Sequence, residues 1–193
     1  MYIIYPNLLL AIITLLGLFF GIFYIKNGIF DLDLLAAGVM VGMAWFAVLA
    51  ERLLKLRLSS FLLCCYYVFL LLSLFFGRML SFYYRFSWYR HFIYFLGGFF
   101  ASLLGLAVIV RLDNLGFLKF SVVFTYALFF AGFAVALWEI ASGLVCRLFD
   151  FPKHGIAENI GTGICGALIF SVLLIADYLV YHNRYLEKLI GKI

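Results

Sequence analysis

The chain has 193 residues, of which 68% are hydrophobic, 21% aromatic and only 12% charged, and its formal net charge is +5. Soluble proteins carry about 25% charged residues, and a chain of this length has no core large enough to hide so much apolar surface, so the composition excludes a soluble globular protein. The basic residues are scattered over short connections, which excludes a nucleic-acid-binding stripe and is typical of membrane proteins that face anionic lipid.

Six apolar stretches follow one another along the chain, and each approaches the length that crosses a bilayer as a helix. We predict spans at about 6–25, 34–50, 59–77, 92–110, 120–146 and 159–181. The second is short and the fifth is long enough to tilt. No linker or change of composition divides the chain, so residues 1–193 are predicted to form one polytopic membrane domain. The predicted fold class is all-α, a bundle of about six transmembrane helices.

The connections between the spans predict the orientation. With six spans both termini lie on one side, and eight of the 14 Lys and Arg residues fall on that side. Because cytoplasmic loops carry the excess of basic residues, we predict cytoplasmic termini. After the last span, the tail "NRYLEKLIGKI" places apolar and basic residues on opposite helical faces, which predicts an amphipathic helix on the membrane surface.

Small residues recur at intervals of four in two of the spans. The fourth span carries Gly97, Ala101 and Gly105, and the sixth carries Gly163 and Ala167. This spacing lets helix backbones approach closely, so spans four and six are predicted to be inner helices of the bundle.

Glu139 stands inside the fifth predicted span, in the stretch "FAGFAVALWEIASGLVCR". A carboxylate at the centre of a span costs about 2.5–3.5 kcal/mol on insertion scales, so it needs a partner or a polar cleft. Ser142 shares its helix face, but Arg147 is two turns away, about 12 Å along the axis. We predict that Glu139 is functional and lies close to Arg90 or His91, the basic pair that opens the fourth span.

The connection between the fifth and sixth spans holds a cluster of charges. Arg147, Asp150, His154 and Glu158 fall within twelve residues of an otherwise apolar chain. Glu158 and Asn159 also fit the start of a helix, where a carboxylate is favoured by the helix dipole and an amide caps free N–H groups. Neither an HExxH nor a CxxC motif is present, so we expect no metal and no cofactor.

The signatures of several membrane enzymes are missing from the sequence. There is no GxSG motif of rhomboid-like serine proteases, no PSGH motif of lipid phosphatases and no paired-glutamate motif of CAAX-type proteases. The sequence therefore assigns no reaction.

Two stretches resemble the VanZ-like proteins and the related YjdF-like inner-membrane proteins. In "WYRHFIYFLGGFFASLLG" a basic residue and a histidine open a glycine-containing span. In "WEIASGLVCRLFDFPKHGIAENIGTGICGALIF" an acid closes one span, a loop with Arg and Asp follows, and an acid and an Asn lead into a glycine-rich span. The resemblance covers residues 88–175 and implies a small multi-pass protein of the bacterial inner membrane with a role in the cell envelope. It places at the polar positions His91, Glu139, Arg147 or Asp150, Glu158 and Asn159.

These observations predict one polar site at the outer membrane face, built by spans four to six, with Glu139 as its deepest member. Its residues are Arg90, His91, Glu139, Arg147, Asp150, His154, Glu158 and Asn159. The first hypothesis is a VanZ-like envelope protein that binds a lipid-linked or cell-wall-related ligand. The second is a small-solute transporter or the substrate-binding subunit of one, and the third is a non-catalytic structural subunit. Membrane lipids are the expected partners, nucleic acid is not, and no protein partner is indicated.

Overall fold

The structure, a computed structural model, describes residues 4–28, 32–53, 59–112, 119–148 and 156–181. Within these ranges all regular structure is helical. The helices are α1 (Ile4–Lys26), α2 (Leu32–Leu53), α3 (Ser60–Leu70) with a π-helical continuation (Leu71–Met79), α4 (Phe82–Arg85), α5 (Ser87–Leu112), α6 (Phe120–Leu148) and α7 (Ile156–Tyr181).

Six helical stretches in the described residues are long and apolar enough to cross a membrane, which confirms the predicted fold class. They are Tyr5–Lys26, Asp33–Leu53, Ser60–Met79, Ser87–Val110, Phe120–Val145 and Ala157–Val180. The second span is 21 residues long rather than short, because helix α2 continues through its charged end to Leu53. The fourth begins at Ser87, so Arg90 and His91 lie within the helix and not before it. The predicted tail helix lies outside the described residues.

The chain divides into two compact units, Met1–Tyr89 (unit 1) and Arg90–Ile193 (unit 2). The prediction of a single domain stays a prediction. Unit 1 is packed through large side chains: Ile13, Met40 and Tyr67 are buried, and the Phe20 and Phe75 rings meet edge to face at 5.6 Å. Apolar side chains of this size fill the space between helices without polar atoms that need partners.

Two partly buried tyrosine hydroxyls in unit 1 bond to main-chain carbonyls. The Tyr66 hydroxyl donates to the Met43 carbonyl and the Tyr89 hydroxyl to the Leu72 carbonyl, both at 2.8 Å. A hydroxyl in an apolar bundle must find an acceptor or lose a hydrogen bond to water. These two bonds tie α3 and its continuation to α2 and to the beginning of α5.

Unit 2 is packed through glycines. A Cβ atom on Gly98 of α5 would lie 1.8 Å from the Gly163 carbonyl oxygen of α7, and one on Gly166 would lie 1.9 Å from the Phe95 carbonyl oxygen. The backbones of α5 and α7 therefore touch directly at one crossing, as small residues allow. The predicted role of Gly163 and Gly105 in close packing is confirmed, since Gly105 meets the Phe130 ring, but the glycine of α5 at the α7 crossing is Gly98.

Candidate functional site

The side chains of Glu139 and Asn159 meet inside unit 2. Glu139 on α6 is 2% exposed and Asn159 on α7 is 4% exposed. The Asn159 Nδ2 donates a hydrogen bond of 2.8 Å to Glu139 Oε1. A hydrogen bond to a carboxylate is stronger than one between neutral groups, and here it is sheltered from competing water. The structure therefore brings together two residues of the predicted site that are 20 positions apart in sequence.

The register between α6 and α7 explains this meeting. Consecutive spans run in opposite directions, and Gly163 lies against Val135, where a Cβ would be 2.8 Å from Cγ1. Four residues forward on α6 and four residues back on α7 each make about one turn, so the next pair in register is Glu139 with Asn159. The missing side chain at Gly163 lets the helices come close enough for the short amide to reach the carboxylate.

Ser142 also contacts Glu139, as the shared helix face predicts. Its hydroxyl donates to the Glu139 carbonyl at 3.0 Å and lies 3.4 Å from Glu139 Oε2. Both carboxylate oxygens therefore have a polar neighbour. These contacts offset part of the cost of removing a carboxyl group from water, which is why it is tolerated in an apolar helix.

Asn159 retains an unused acceptor. Its Oδ1 is buried and makes no hydrogen bond within the described residues. The amide orientation follows from the network, because Nδ2 must face the carboxylate. Asn159 lies inside α7, four residues into the described helix, so its interpretation as a helix cap is wrong. The buried carbonyl oxygen is a position at which a ligand donor group gains a hydrogen bond.

His91 lies on the same face of α5 as the glycine that touches α7. It precedes Gly98 by seven residues, two turns or about 10 Å, and Asn159 precedes Gly166 by the same distance. Spans four and six run in the same direction. His91 and Asn159 therefore lie on the same side of the crossing of α5 and α7, at about the same distance from it along their helices. The His91 Nδ1 is buried and has no hydrogen-bond partner within the described residues. The predicted closeness of Glu139 to His91 or Arg90 stays a prediction.

Other members of the predicted site are placed differently. Arg147 and Glu158 are exposed, and Arg90 is partly exposed. Glu158 stands in the first turn of α7, as the helix-dipole argument predicts, and its carbonyl accepts a bond from Thr162 Oγ1 at 3.0 Å. Asp150 and His154 lie outside the described residues. Among the described His, Cys, Asp and Glu residues, no group of three or more is arranged to hold a metal ion.

Sequence reasoning missed a second polar cluster, in unit 1. Arg78 Nε lies 3.1 Å from Asp33 Oδ1, and Arg78 Nη1 donates to the Tyr84 hydroxyl at 2.6 Å. A topological signal in the sequence could have found it. The first and third connections emerge on the same side of three alternating spans, and Asp33 opens one span where Arg78 closes the other.

Residues 7–161 match the family described as "Predicted membrane protein (DUF2238)". The matched range includes both Glu139 and Asn159. Comparison with curated proteins and with solved structures gave no match.

Proposed function

This chain belongs to the predicted membrane protein family DUF2238, and we propose that it is a VanZ-like protein of the cell envelope that binds a lipid-linked or cell-wall-related ligand. The observation that carries the proposal is the buried Glu139–Asn159 pair, with the Asn159 carbonyl oxygen left as an acceptor. Glu139 accepts hydrogen bonds as well, so the pair offers acceptors to the hydroxyl, amide or amine groups of a sugar or peptide headgroup.

The depth of the pair favours a headgroup over a solute at the bilayer centre. Glu139 is six residues from the end of its span at Val145, and Asn159 is two residues from the start of its span at Ala157. These offsets are about 9 Å and 3 Å along the helices, so Asn159 lies at the end of its span and Glu139 lies about halfway between the end and the middle of its own. Transporters bind their substrates near the midplane. We infer that the Asn159 end of the pair, close to the end of its span, lies within reach of a lipid headgroup.

The test compares two acid-to-amide variants in unit 2. Glu139→Gln keeps the size of the side chain and an oxygen that accepts the Asn159 bond, but removes the charge. Asp177→Asn makes the same change on α7, 18 residues or about 27 Å beyond Asn159, and serves as the matched control. Native mass spectrometry of gently solubilised wild type should show a bound lipid-linked mass. This mass should be absent from Glu139→Gln and retained in Asp177→Asn.

An equal bound mass in wild type and a stably folded Glu139→Gln would refute the proposal. Asn159→Ala provides a second measurement, because it removes the free acceptor and the amide donor but keeps the Glu139 carboxylate itself. If both variants keep the bound mass, the pair is a structural contact only.

A second candidate function, small-solute transport, is favoured by the carboxyl group itself, because intramembrane acids often mark ion pathways. Proteoliposomes of purified protein distinguish the two functions. A Glu139-dependent decay of an imposed pH gradient supports transport, whereas an intact gradient together with a Glu139-dependent bound lipid supports binding.

The orientation proposed for this function puts both termini in the cytoplasm of a bacterial cell and the 5–6 connection outside. A single cysteine introduced at Lys153 in a cysteine-free background should then react with an impermeant maleimide added to whole cells. One introduced at Lys55 should react only after the membrane is broken. The reverse pattern would invert the topology.

A further inference from the structure

The end of the third span in unit 1 is built in an unusual way. The helix continues as a π-helix over Leu71–Met79, and the Leu80 N–H bonds to the Phe75 carbonyl, five residues back, at 3.0 Å. Ser81 then adopts a left-handed conformation with φ 61°, which few residues other than glycine accept. π-Helical turns and strained residues of this kind concentrate at functional sites.

This reversal folds the short helix α4 back onto the end of the span. Gly77 makes room for it, since a Cβ there would lie 2.6 Å from Tyr83 Cε2. The Ser81 carbonyl accepts bonds from the N–H groups of Tyr84 and Arg85 at 3.0 and 3.1 Å. Tyr84 is thereby brought over Arg78, six residues away in sequence.

The guanidinium of Arg78 is fixed by these neighbours. Its Nη1 donates to the Tyr84 hydroxyl at 2.6 Å, and its central carbon lies 5.6 Å from the Tyr84 ring centroid. Its Nε lies 3.1 Å from Asp33 Oδ1, although the N–H does not point along an aligned hydrogen bond. A guanidinium has five N–H groups. Only the bond to Tyr84 is aligned within the described residues, so Arg78 keeps oriented donors for another acceptor.

The surroundings of Arg78 match the headgroup region of a bilayer. Tyr84 is 71% exposed and Trp88 is 59% exposed, and aromatic residues of this amphipathic kind are enriched at membrane–water boundaries. Arg85 is also exposed on α4. Along the sequence, the first and third connections of unit 1 and their flanks carry Lys26, Arg78 and Arg85 against two aspartates, which leaves an excess of positive charge.

We propose that Arg78, held in place by Asp33 and Tyr84 and assisted by Arg85, binds the phosphate of an anionic phospholipid headgroup. A planar guanidinium of fixed orientation pairs with two phosphate oxygens at once, which a flexible ammonium group does not do. The partial exposure of Arg78, 24% of its side chain, lets the headgroup reach it from the membrane surface. The site lies in unit 1 and is independent of the function proposed for Glu139.

The experiment titrates delipidated full-length protein in mild detergent with phosphatidylglycerol and follows the first bound lipid by native mass spectrometry. Arg78→Gln should weaken this binding about tenfold, the loss expected when a charged bidentate contact is removed. The control is Arg52→Gln, an exposed arginine at the opposite end of α2 in the same unit. It should change binding by less than about twofold, because a solvated arginine is screened.

Two further variants keep the proposal falsifiable if Arg78→Gln fails to fold. Arg78→Lys preserves the charge opposite Asp33 but removes the planar guanidinium that pairs with two phosphate oxygens at once. It should still weaken phosphatidylglycerol binding several-fold. Tyr84→Phe keeps the ring and removes the hydroxyl that orients Nη1, and should give a smaller loss in the same direction.

The arms of the titration separate the possible sources of phosphate. Phosphatidylcholine should bind more weakly than phosphatidylglycerol and show little dependence on Arg78, because its choline offsets the phosphate charge. Competition by millimolar inorganic phosphate with no preference for phosphatidylglycerol would assign the site to a free anion and overturn the lipid proposal. Unchanged phosphatidylglycerol binding in folded Arg78→Gln or Arg78→Lys would overturn it as well.

Discussion

In unit 1 the rings of Phe20 and Phe75 meet edge to face, whereas in unit 2 the backbone of Gly98 lies directly on the backbone of Gly163. The polar groups of the two units also differ in how far they are buried. The Asp33–Arg78 pair of unit 1 is partly exposed, with side-chain exposures of 32% and 24%, but Glu139 and Asn159 in unit 2 are almost fully buried. Because Glu139 is so little exposed, its carboxyl group depends mainly on hydrogen bonds from protein groups.

Units 1 and 2 therefore differ in the substitutions that they tolerate. A crowded side chain in unit 1 has rotamers through which it relieves strain, whereas a backbone carbonyl in unit 2 does not move without the helix. Likewise, a partly exposed ion pair that loses one member is repaired by water, but a buried pair is not.

The largest expected effect is that of Gly98→Ala. The new methyl would lie 1.8 Å from the Gly163 carbonyl oxygen, so α5 and α7 must separate, and we expect destabilisation at or above the roughly 3 kcal/mol upper end for overpacking. Gly17→Ala in unit 1 meets only the Val41 Cγ2 and Met40 Cε atoms and the Ala37 carbonyl within 3.3 Å, and should cost less. Gly132→Ala, with nothing within 4 Å, is the control. Thermal midpoints in detergent measure all three, and equal midpoints for Gly98→Ala and Gly132→Ala would contradict the backbone contact.

An intermediate effect on the free energy of unfolding is expected when the acidic side chain of Glu139 or Asp33 is removed. Glu139→Ala leaves the Asn159 amide without its acceptor in a buried position, and should cost about 1.5–3 kcal/mol. Asp33→Ala should cost about 0–1 kcal/mol, because Arg78 regains water. Double-mutant cycles in denaturant titrations, with Asn159→Ala and Arg78→Ala as second members, measure the coupling in each unit. A larger coupling for the pair in unit 1 would reverse the contrast between the units.

The smallest effect concerns two buried hydroxyls. Ser102 in unit 2 is fully buried, and its Oγ has no hydrogen-bond partner within the described residues. Ser73 in unit 1 donates to the Leu70 carbonyl at 3.4 Å. Ser102→Ala should be neutral or stabilise by up to about 1 kcal/mol, and Ser73→Ala should destabilise by about 0.5 kcal/mol. If Ser102→Ala is instead the more destabilising change, its hydroxyl has a partner such as a buried water.

The sequence predicted the fold class and the position of every span to within a few residues, apart from two ends. The start of the fourth span was set too late, at residue 92 rather than Ser87, because "SWYRH" is polar enough to resemble a loop although it forms the first turns of α5. The second span was set too short because the glutamate and arginine near its end were excluded from the apolar stretch. Both errors come from charged and aromatic residues that continue a helix into the interface region.

The candidate site was predicted in part. Glu139 stood out because a carboxyl group in an apolar span is costly wherever it lies, and that argument needs no neighbours. Its partner could not be found in this way. Asn159 reads as a helix cap in sequence, and only the alignment of α6 with α7 turns it into the donor for Glu139.

The sequence by itself determined that this is a membrane protein of six helical spans with an acid buried in the fifth, because hydrophobic length and the cost of a buried charge are local properties. The tertiary structure decided that Gly98 makes the contact with α7, that Asn159 meets Glu139, and that Arg78 meets Asp33. Adjacent residues on a helix point about 100° apart, so a glycine's role depends on the rotation of its helix against a neighbour. That rotation is a property of the packed pair of helices, so it cannot be inferred from the sequence of either helix alone.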